Sequence, residues 1–226
     1  NLFVTLLIKL NYFLYIYMCF HISIINNHNS IEKEMNAKFV NKENFNPKPH
    51  ISAFANPIIP VIISKNIQEI NLFNWGLIPH WVKNIEEANT IRKMTYNAKS
   101  ETVNQKPSFK YSIKNKKCFI IANGFYEWQT TDKGKICYYI TSSDSNMIAF
   151  AGIWSIWINR LNGESIKTVS ILTQKANKTM SFIHNIKKRQ PVILNKIHRN
   201  IWLNSNHKFS NILDKSYETN FNYKIV

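Results

Sequence analysis

A chain of 226 residues with 45% hydrophobic and 13% aromatic side chains can bury one sizeable core, which excludes a disordered or fibrous chain. Only five glycines and seven prolines argue against linkers and repeats. Twenty-nine Lys and Arg against thirteen Asp and Glu give +16, a charge that draws polyanions and nucleic acid first among them; an AT-rich genome also yields lysine- and asparagine-rich chains, so charge alone does not decide.

Residues 1–17, NLFVTLLIKLNYFLYIY, are apolar but interrupted by Lys9 and Asn11. The run is short for a membrane span and lacks a basic start or a small-residue cleavage site. Three readings stand: translated sequence that the working protein lacks, an anchor or signal, or a buried first element. The first is favoured, giving an apolar leader at 1–17 and one domain at 18–226. Met18 is the first methionine and directly precedes Cys19.

Downstream, residues 20–24 alternate like a strand, and Ile31, Met35 and Phe39 at near-helical spacing predict a short amphipathic helix within 26–45. Strand pieces follow at 51–54 and 57–63, then at 72–79, running into the exposed-looking pair His80-Trp81. Residues 86–94 are weakly helical, and the polar run 97–102 is expected to open a short helix through Ser100 or Thr102. Further strands are expected at 118–128, 136–141, 147–157, 168–173 and 192–194, with helices at 176–183 and 197–203 and a basic loop at 184–191. Many short strands with few helices mean α+β, mostly antiparallel.

Three cysteines, an odd number with no CxxC pair and no Cys/His cluster at metal spacing, fit a reduced cytoplasmic protein without a metal. Cys118 and Cys137 sit in apolar runs as core thiols would. In CFIIANGFYEW, residues 118–128, a buried-strand run is broken at Asn123-Gly124, a pair that accepts positive φ cheaply. Glu127 then stands between Tyr126 and Trp128. A carboxylate in apolar company resists ionisation, so its pKa rises toward the range useful for proton transfer; the plainer reading is a hairpin with Glu127 pointing at water.

Taken together in order, Met18-Cys19, Trp75 to Trp81 (WGLIPHW), Asn97 to Thr102 (NAKSET), Cys118 to Trp128, Phe150 to Trp154 (FAGIW), and Ile183-His184 with Arg189 to Leu194 resemble the SRAP family, the SOS response-associated peptidases or abasic-site processing proteins. The resemblance spans nearly all of 18–226. It implies a single α+β domain with a barrel-like core of antiparallel sheets and a basic cleft for single-stranded DNA. It implies covalent capture of abasic sites by an N-terminal cysteine as a thiazolidine, acting as a monomer without cofactor. The chemistry of the residue agrees: an α-amine with a pKa near 8 is substantially neutral in the cell and can form an imine with the opened sugar, and only an N-terminal cysteine adds a β-thiol to close the ring.

By position the resemblance makes Cys19 the nucleophile, Asn97 its orienting partner, Glu127 the proton shuttle beside the amine, and His184 the acid–base for sugar opening. It assigns DNA contacts to His21, His80, Trp81, Lys99, Thr102 and Arg189, while Trp75 belongs to the core. Several positions depart from the family pattern. His21 and Lys99 stand where arginine is common, three extra residues separate His184 from Pro191, Gln190 replaces a methionine, and the chain ends short of a full final strand. Thiazolidine chemistry requires a free amine, so the active form is expected to begin at Cys19. A cysteine-dependent autopeptidase using Cys19, Glu127 and His184 on its own leader is the alternative, and a noncovalent nucleic-acid-binding module is a third reading.

Overall fold

Runs rich in isoleucine and valine with few charges need apolar cover on both faces, and a closed barrel supplies it. In the computed structural model, which describes residues 19–204 and 210–226, five such strands form the barrel. They are β4 (Ile58–Ile63), β5 (Asn66–Trp75), β7 (Lys117–Ala122), β10 (Ile148–Ile158) and β11 (Ser165–Lys175). Their order is β11-β10-β7-β4-β5, and a short parallel seam of Thr168 with Asn74 and Val169 with Trp75 joins β5 back to β11. β7 is buried at every position, as its uninterrupted apolar run requires. Three short strands extend the barrel wall: β2 (Lys38–Phe39) on β5, and β6 (Asn97–Lys99) and β12 (Arg189–Pro191) on β11.

A second sheet packs beside it in the order β13-β9-β8-β1-β3. Its strands are β1 (His21–Ile24), β3 (Lys48–Ser52), β8 (Gly124–Thr131), β9 (Gly134–Ser142) and β13 (Phe221–Ile225). Most pairings in both sheets are antiparallel, and one continuous cluster of buried side chains, including Ile22, Trp75, Phe125, Ile140, Phe150 and Trp202, joins the two. The α+β fold with a barrel core and short helices is therefore as the sequence indicated. Trp75 is fully buried, its indole N–H donating to the Tyr96 carbonyl at 2.9 Å.

Six short helices appear among the described residues: α1 (His28–Met35), α2 (Ile85–Arg92), α3 (Lys110–Asn115), α4 (Lys178–Ile183), α5 (Lys196–Leu203) and α6 (Ser210–Tyr217). Asparagine, abundant in this sequence, starts four of them. The side chains of Asn27, Asn84, Asn177 and Asn195 accept from the backbone N–H three residues on at 2.8–3.0 Å. Among the described residues no helix is long and apolar enough to cross a membrane. The expected leader, residues 1–17, lies outside the described residues.

Local departures from the expected elements have local causes. The first helix stops at Asn36, which takes a left-handed conformation, so Phe39 lies in β2. The strand expected over 72–79 ends at Trp75, because Gly76 turns the chain at φ 108°. The run 97–102 opens a strand instead of a helix: β6 occupies an edge of β11, the chain then turns, and the next helix starts only at Lys110. The strand expected at 192–194 sits earlier, at β12, with Ile193 keeping a single bridge to Phe150.

The stretch 118–128 is two strands in two sheets, β7 and β8. Neither residue of the Asn123-Gly124 pair takes positive φ. The Asn123 side chain instead accepts from the Ile25 N–H at 2.8 Å and donates to Asn26 Oδ1 at 2.6 Å, tying the crossing point to the end of β1. Gly124 is required for closeness, since a Cβ there would lie 2.6 Å from the Ile140 carbonyl oxygen and 2.6 Å from the Tyr139 ring. A backbone carbonyl in a sheet cannot step aside. Gly124→Ala is therefore expected to lower stability by roughly 2–3 kcal/mol, measured as a fall in urea midpoint at unchanged slope.

Candidate active site

β1 pairs with β8 in the register His21 to Tyr126 and Ile22 to Phe125. Alternation along β8 then puts Phe125 and Glu127 on the core side and Tyr126 and Trp128 on the other. Glu127 is 4% exposed, against the plain-hairpin reading in which it faces water. Burial raises its pKa from the ordinary carboxylate range to about 8, with the Trp128 backbone N–H pulling weakly the other way. One oxygen, Oε1, has no hydrogen-bond partner among the described residues.

Cys19 immediately precedes β1 and is 2% exposed. Burial, reinforced by the nearby Glu127 carboxylate, lifts its thiol well above the usual value. Asn97, in β6, donates from Nδ2 to the Cys19 carbonyl at 3.0 Å, and its Oδ1 is buried without a partner among the described residues. β6 is held for this by its parallel register on β11, Asn97 beside Ile171.

His184 caps α4 and is 1% exposed. Its Nδ1 lies 3.0 Å from the Arg189 carbonyl oxygen. A carbonyl only accepts, so Nδ1 carries the hydrogen and Nε2 presents the lone pair. That Nε2 is buried and has no partner among the described residues, and burial lowers the ring's pKa, keeping it neutral at neutral pH. The loop is stapled to β8: Asn185 accepts from the Thr130 N–H at 3.0 Å and donates to the Thr130 carbonyl at 2.8 Å. Two residues, Trp128 and Gln129, separate that staple from Glu127.

Arg189, expected as a phosphate contact, has its guanidinium engaged within the protein. Nη1 and Nη2 lie 2.5 and 2.9 Å from the two Glu101 oxygens, and Nη2 also donates to the Thr173 carbonyl at 2.7 Å. Its side chain is 12% exposed. Burial pushes the Glu101 carboxyl up, but the Arg189 hydrogen bonds carry it below its ordinary value. Glu101 thus fixes Arg189, whose carbonyl fixes the His184 tautomer. The sequence reading passed over Glu101, although it lies inside the quoted run 97–102.

The remaining residues are placed more openly. His21 is half-buried, stacked on His50 with ring centres 4.8 Å apart, and burial with the His50 charge lowers its pKa to about 4. Lys99 is exposed, and Thr102, half-buried, sits in the turn after β6 with its N–H on the Lys99 carbonyl at 3.1 Å. His80 is exposed against Tyr111 at 4.7 Å, and Trp81 is 41% exposed; no hydrogen bond links either to the four buried residues. Cys118 is a buried core thiol, whereas Cys137 is only half-buried. Among the described residues no group of three or more His, Cys, Asp or Glu is placed to hold a metal.

The SOS response associated peptidase (SRAP) family profile matches residues 18–226, and the chain belongs to this family. The abasic site processing protein YoqW of Bacillus subtilis is 33% identical over 189 residues, covering 83% of this chain and 80% of that protein. The abasic site processing protein HMCES of Gallus gallus is 34% identical over 139 residues, or 53% of this chain and 40% of its own length. A crystal structure of a protein from Bacteroides thetaiotaomicron superimposes with TM-score 0.84 at 31% identity, covering 92% of each chain. A Bordetella bronchiseptica protein shares the fold at TM-score 0.75 and 22% identity, over 92% of this chain and 99% of its own.

The buried carboxyl gives a stability signature with a fixed sign. Because the folded pKa of Glu127 is about 8 against 4.5 ordinarily, the folded state holds this proton more tightly, so stability falls as pH rises between the two values. Glu127→Gln keeps the shape and removes the titration. The variant is expected to match the wild type near pH 4.5 and to exceed it by a few kcal/mol above pH 8, read from denaturant melts across that range.

Proposed function

We propose that this protein captures abasic sites in single-stranded DNA covalently, through Cys19 as the N-terminal residue of its processed form. The observation that carries the reading is a shared deficiency. Asn97 Oδ1, Glu127 Oε1 and His184 Nε2 are all buried without hydrogen-bond partners among the described residues; Asn97 holds the Cys19 carbonyl, the Glu127 carboxylate acts on the Cys19 thiol, and His184 belongs to the loop stapled to the strand that carries Glu127. Leaving such atoms unpaired costs roughly 1–3 kcal/mol each, a cost that a bound reactant would remove. The similarity to YoqW and HMCES, which are named abasic site processing proteins, supports the same substrate.

The steps balance without a cofactor. The lesion sugar opens to an aldehyde: His184 Nε2 takes the C1′ hydroxyl proton, the C1′–O4′ bond breaks, and the same proton is returned to O4′. The Cys19 amine adds to the aldehyde carbon to give a carbinolamine. Glu127, whose carboxyl burial holds above the ordinary carboxylate range, gives its proton to the departing hydroxyl, which leaves as water, and the resulting carboxylate takes the nitrogen proton back to yield the imine. The Cys19 S–H then adds across C=N: sulfur bonds to carbon, and the proton ends on nitrogen in a thiazolidine ring. One water is lost overall. Asn97 holds the Cys19 carbonyl throughout, and its free Oδ1 can accept from the amine or a sugar hydroxyl.

A thiol autopeptidase is the weaker reading. It needs a ready thiolate, whereas burial and the Glu127 carboxylate both oppose ionisation of Cys19.

Protein beginning at Cys19, mixed with uracil-containing single-stranded DNA and uracil glycosylase, should give an adduct that survives denaturing electrophoresis. Cys19→Ala should abolish it, and an adduct undiminished in that variant refutes the assignment. Glu127→Gln and His184→Ala should each slow adduct formation about 10²-fold or more. Intact mass of the cellular protein supplies the second check: a chain that retains residues preceding Cys19 and still crosslinks overturns the mechanism.

A further inference from the structure

The outward face of the second sheet carries rings that neither the core nor the proposed chemistry uses. Register places His50 of β3, His21 of β1, Tyr126 of β8 and Tyr139 of β9 on this face, with Trp128 one step along β8. Each ring meets the next. His50 stacks on His21 at 4.8 Å with planes 6° apart, and His21 meets Trp128 at 4.9 Å. His50 turns its ring edgewise with Tyr126 at 4.8 Å, and Tyr126 meets Tyr139 at 5.0 Å. The Tyr126 hydroxyl donates to the Pro49 carbonyl at 2.8 Å, which fixes the row where it crosses between strands.

Rings that only stabilise a fold are usually covered. Here His50 is exposed, and His21, Tyr126, Trp128 and Tyr139 are half-exposed. The charge of the face is one-sided. Lys48, Lys135 and Lys224 occupy outward positions of β3, β9 and β13, Lys224 with its ammonium 5.8 Å from the Tyr139 ring, and no acidic residue takes an outward position on these five strands. His21, two residues after Cys19, is the ring of the row nearest that residue in the chain.

We propose that this aromatic row is a stacking platform for the unpaired bases of single-stranded DNA flanking the captured lesion. Rings at successive strand positions offer π-faces to bases of any identity, and the bordering lysines follow the phosphates, the two elements of sequence-tolerant single-strand binding. A face with rings and cations and no acid is complementary to a strand that has both bases and negative charge. His21 acts here as a ring and not as a phosphate cation, since burial keeps it uncharged above about pH 4. The occupant rests on the DNA reading above, whereas the platform itself rests on the ring geometry.

The experiment separates base contacts from phosphate contacts. The full chain is titrated with a labelled oligothymidylate and with a strand of equal length in which tetrahydrofuran units replace every nucleoside. Wild-type protein should bind the thymidylate more tightly. His50→Ala should weaken thymidylate binding about 5- to 10-fold and leave the baseless strand within about twofold, and His50→Phe, which keeps a stacking face, should restore binding. Lys224→Ala should weaken both strands alike and reduce the salt slope by about one. Equal affinity of the wild type for both strands, or an equal loss on both with His50→Ala, overturns the platform. Tighter binding of oligouridylate than of thymidylate assigns the face to RNA and overturns the DNA version. Crosslinking is scored separately: a chain that crosslinks but ignores bases sinks only the platform, and one that distinguishes the strands but never crosslinks sinks only the capture chemistry.

Discussion

Strand β11 is the constraint on which the molecule depends, because it is paired along both edges in two stages. Its first half runs against β10 on one side and meets β5 in parallel on the other, which closes the barrel. Its last residues carry β12 on the first edge and β6 on the second. The first half is therefore structural, and the second is a mount for the site. β6 delivers Asn97 and β12 delivers Arg189, so the residue that grips Cys19 and the carbonyl that orients His184 are spaced by one strand's hydrogen-bond ladder. Thr173 makes the junction explicit. Its carbonyl accepts from the Ser100 N–H at 2.8 Å and from the Arg189 guanidinium at 2.7 Å, one bond from each attached strand.

That mount allows a dry site whose polar groups are left open. A buried carboxyl, a buried imidazole nitrogen and a buried amide oxygen without partners would each favour rearrangement in a loosely held structure. Here each is fixed by something other than its reactive atom. Asn97 is held through its amide nitrogen and its ladder, His184 through Nδ1 and its neighbour Asn185, and Glu127 through the flanking pairs of β8 with β1 and β9. The same burial keeps Glu127 protonated and His184 neutral near pH 7, an acid and a base available without either carrying a charge. Glu101 and Arg189 do form an ion pair, at the site's rim, where it can anchor a carbonyl without placing a charge beside the carboxyl.

Much of this was legible in the residues. Alternation and apolar runs located most strands, and the raised pKa expected of Glu127 does arise, though from burial on the core side of β8 and not from Tyr126 and Trp128, which face the other way. What pattern could not supply was partnership. The polar run 97–102 has the composition of a helix start, yet two open edges of β11 decide its fate, and β11 lies about seventy residues away in the chain. Asn123-Gly124 reads as a turn pair, but the glycine is dictated by the approach of Tyr139 and Ile140 and the asparagine by backbone groups at the end of β1. Arg189 reads as a free cation because its partner, Glu101, is 88 residues distant. Periodicity reports how a segment meets an average environment; these residues answer to particular atoms brought in by topology.

The grip on Cys19 bears on how a residue inside a longer chain could serve as an N-terminal nucleophile in the proposed capture. The described restraints act from its carbonyl onward. Asn97 holds the carbonyl itself, the Ala53 N–H donates to the next carbonyl at 2.8 Å, and β1 begins its pairing at His21. The thiol too is steadied from downstream, by the backbone N–H of His21. Cleavage ahead of Cys19 would convert an amide into an amine and leave all of these contacts in place. The carboxyl of Glu127 would then face a new cation instead of a thiol alone, and a nearby ammonium favours the charged carboxylate. The pKa of Glu127 should therefore fall on processing. The site is thus built around the residue's downstream half, and its chemistry waits on the upstream one.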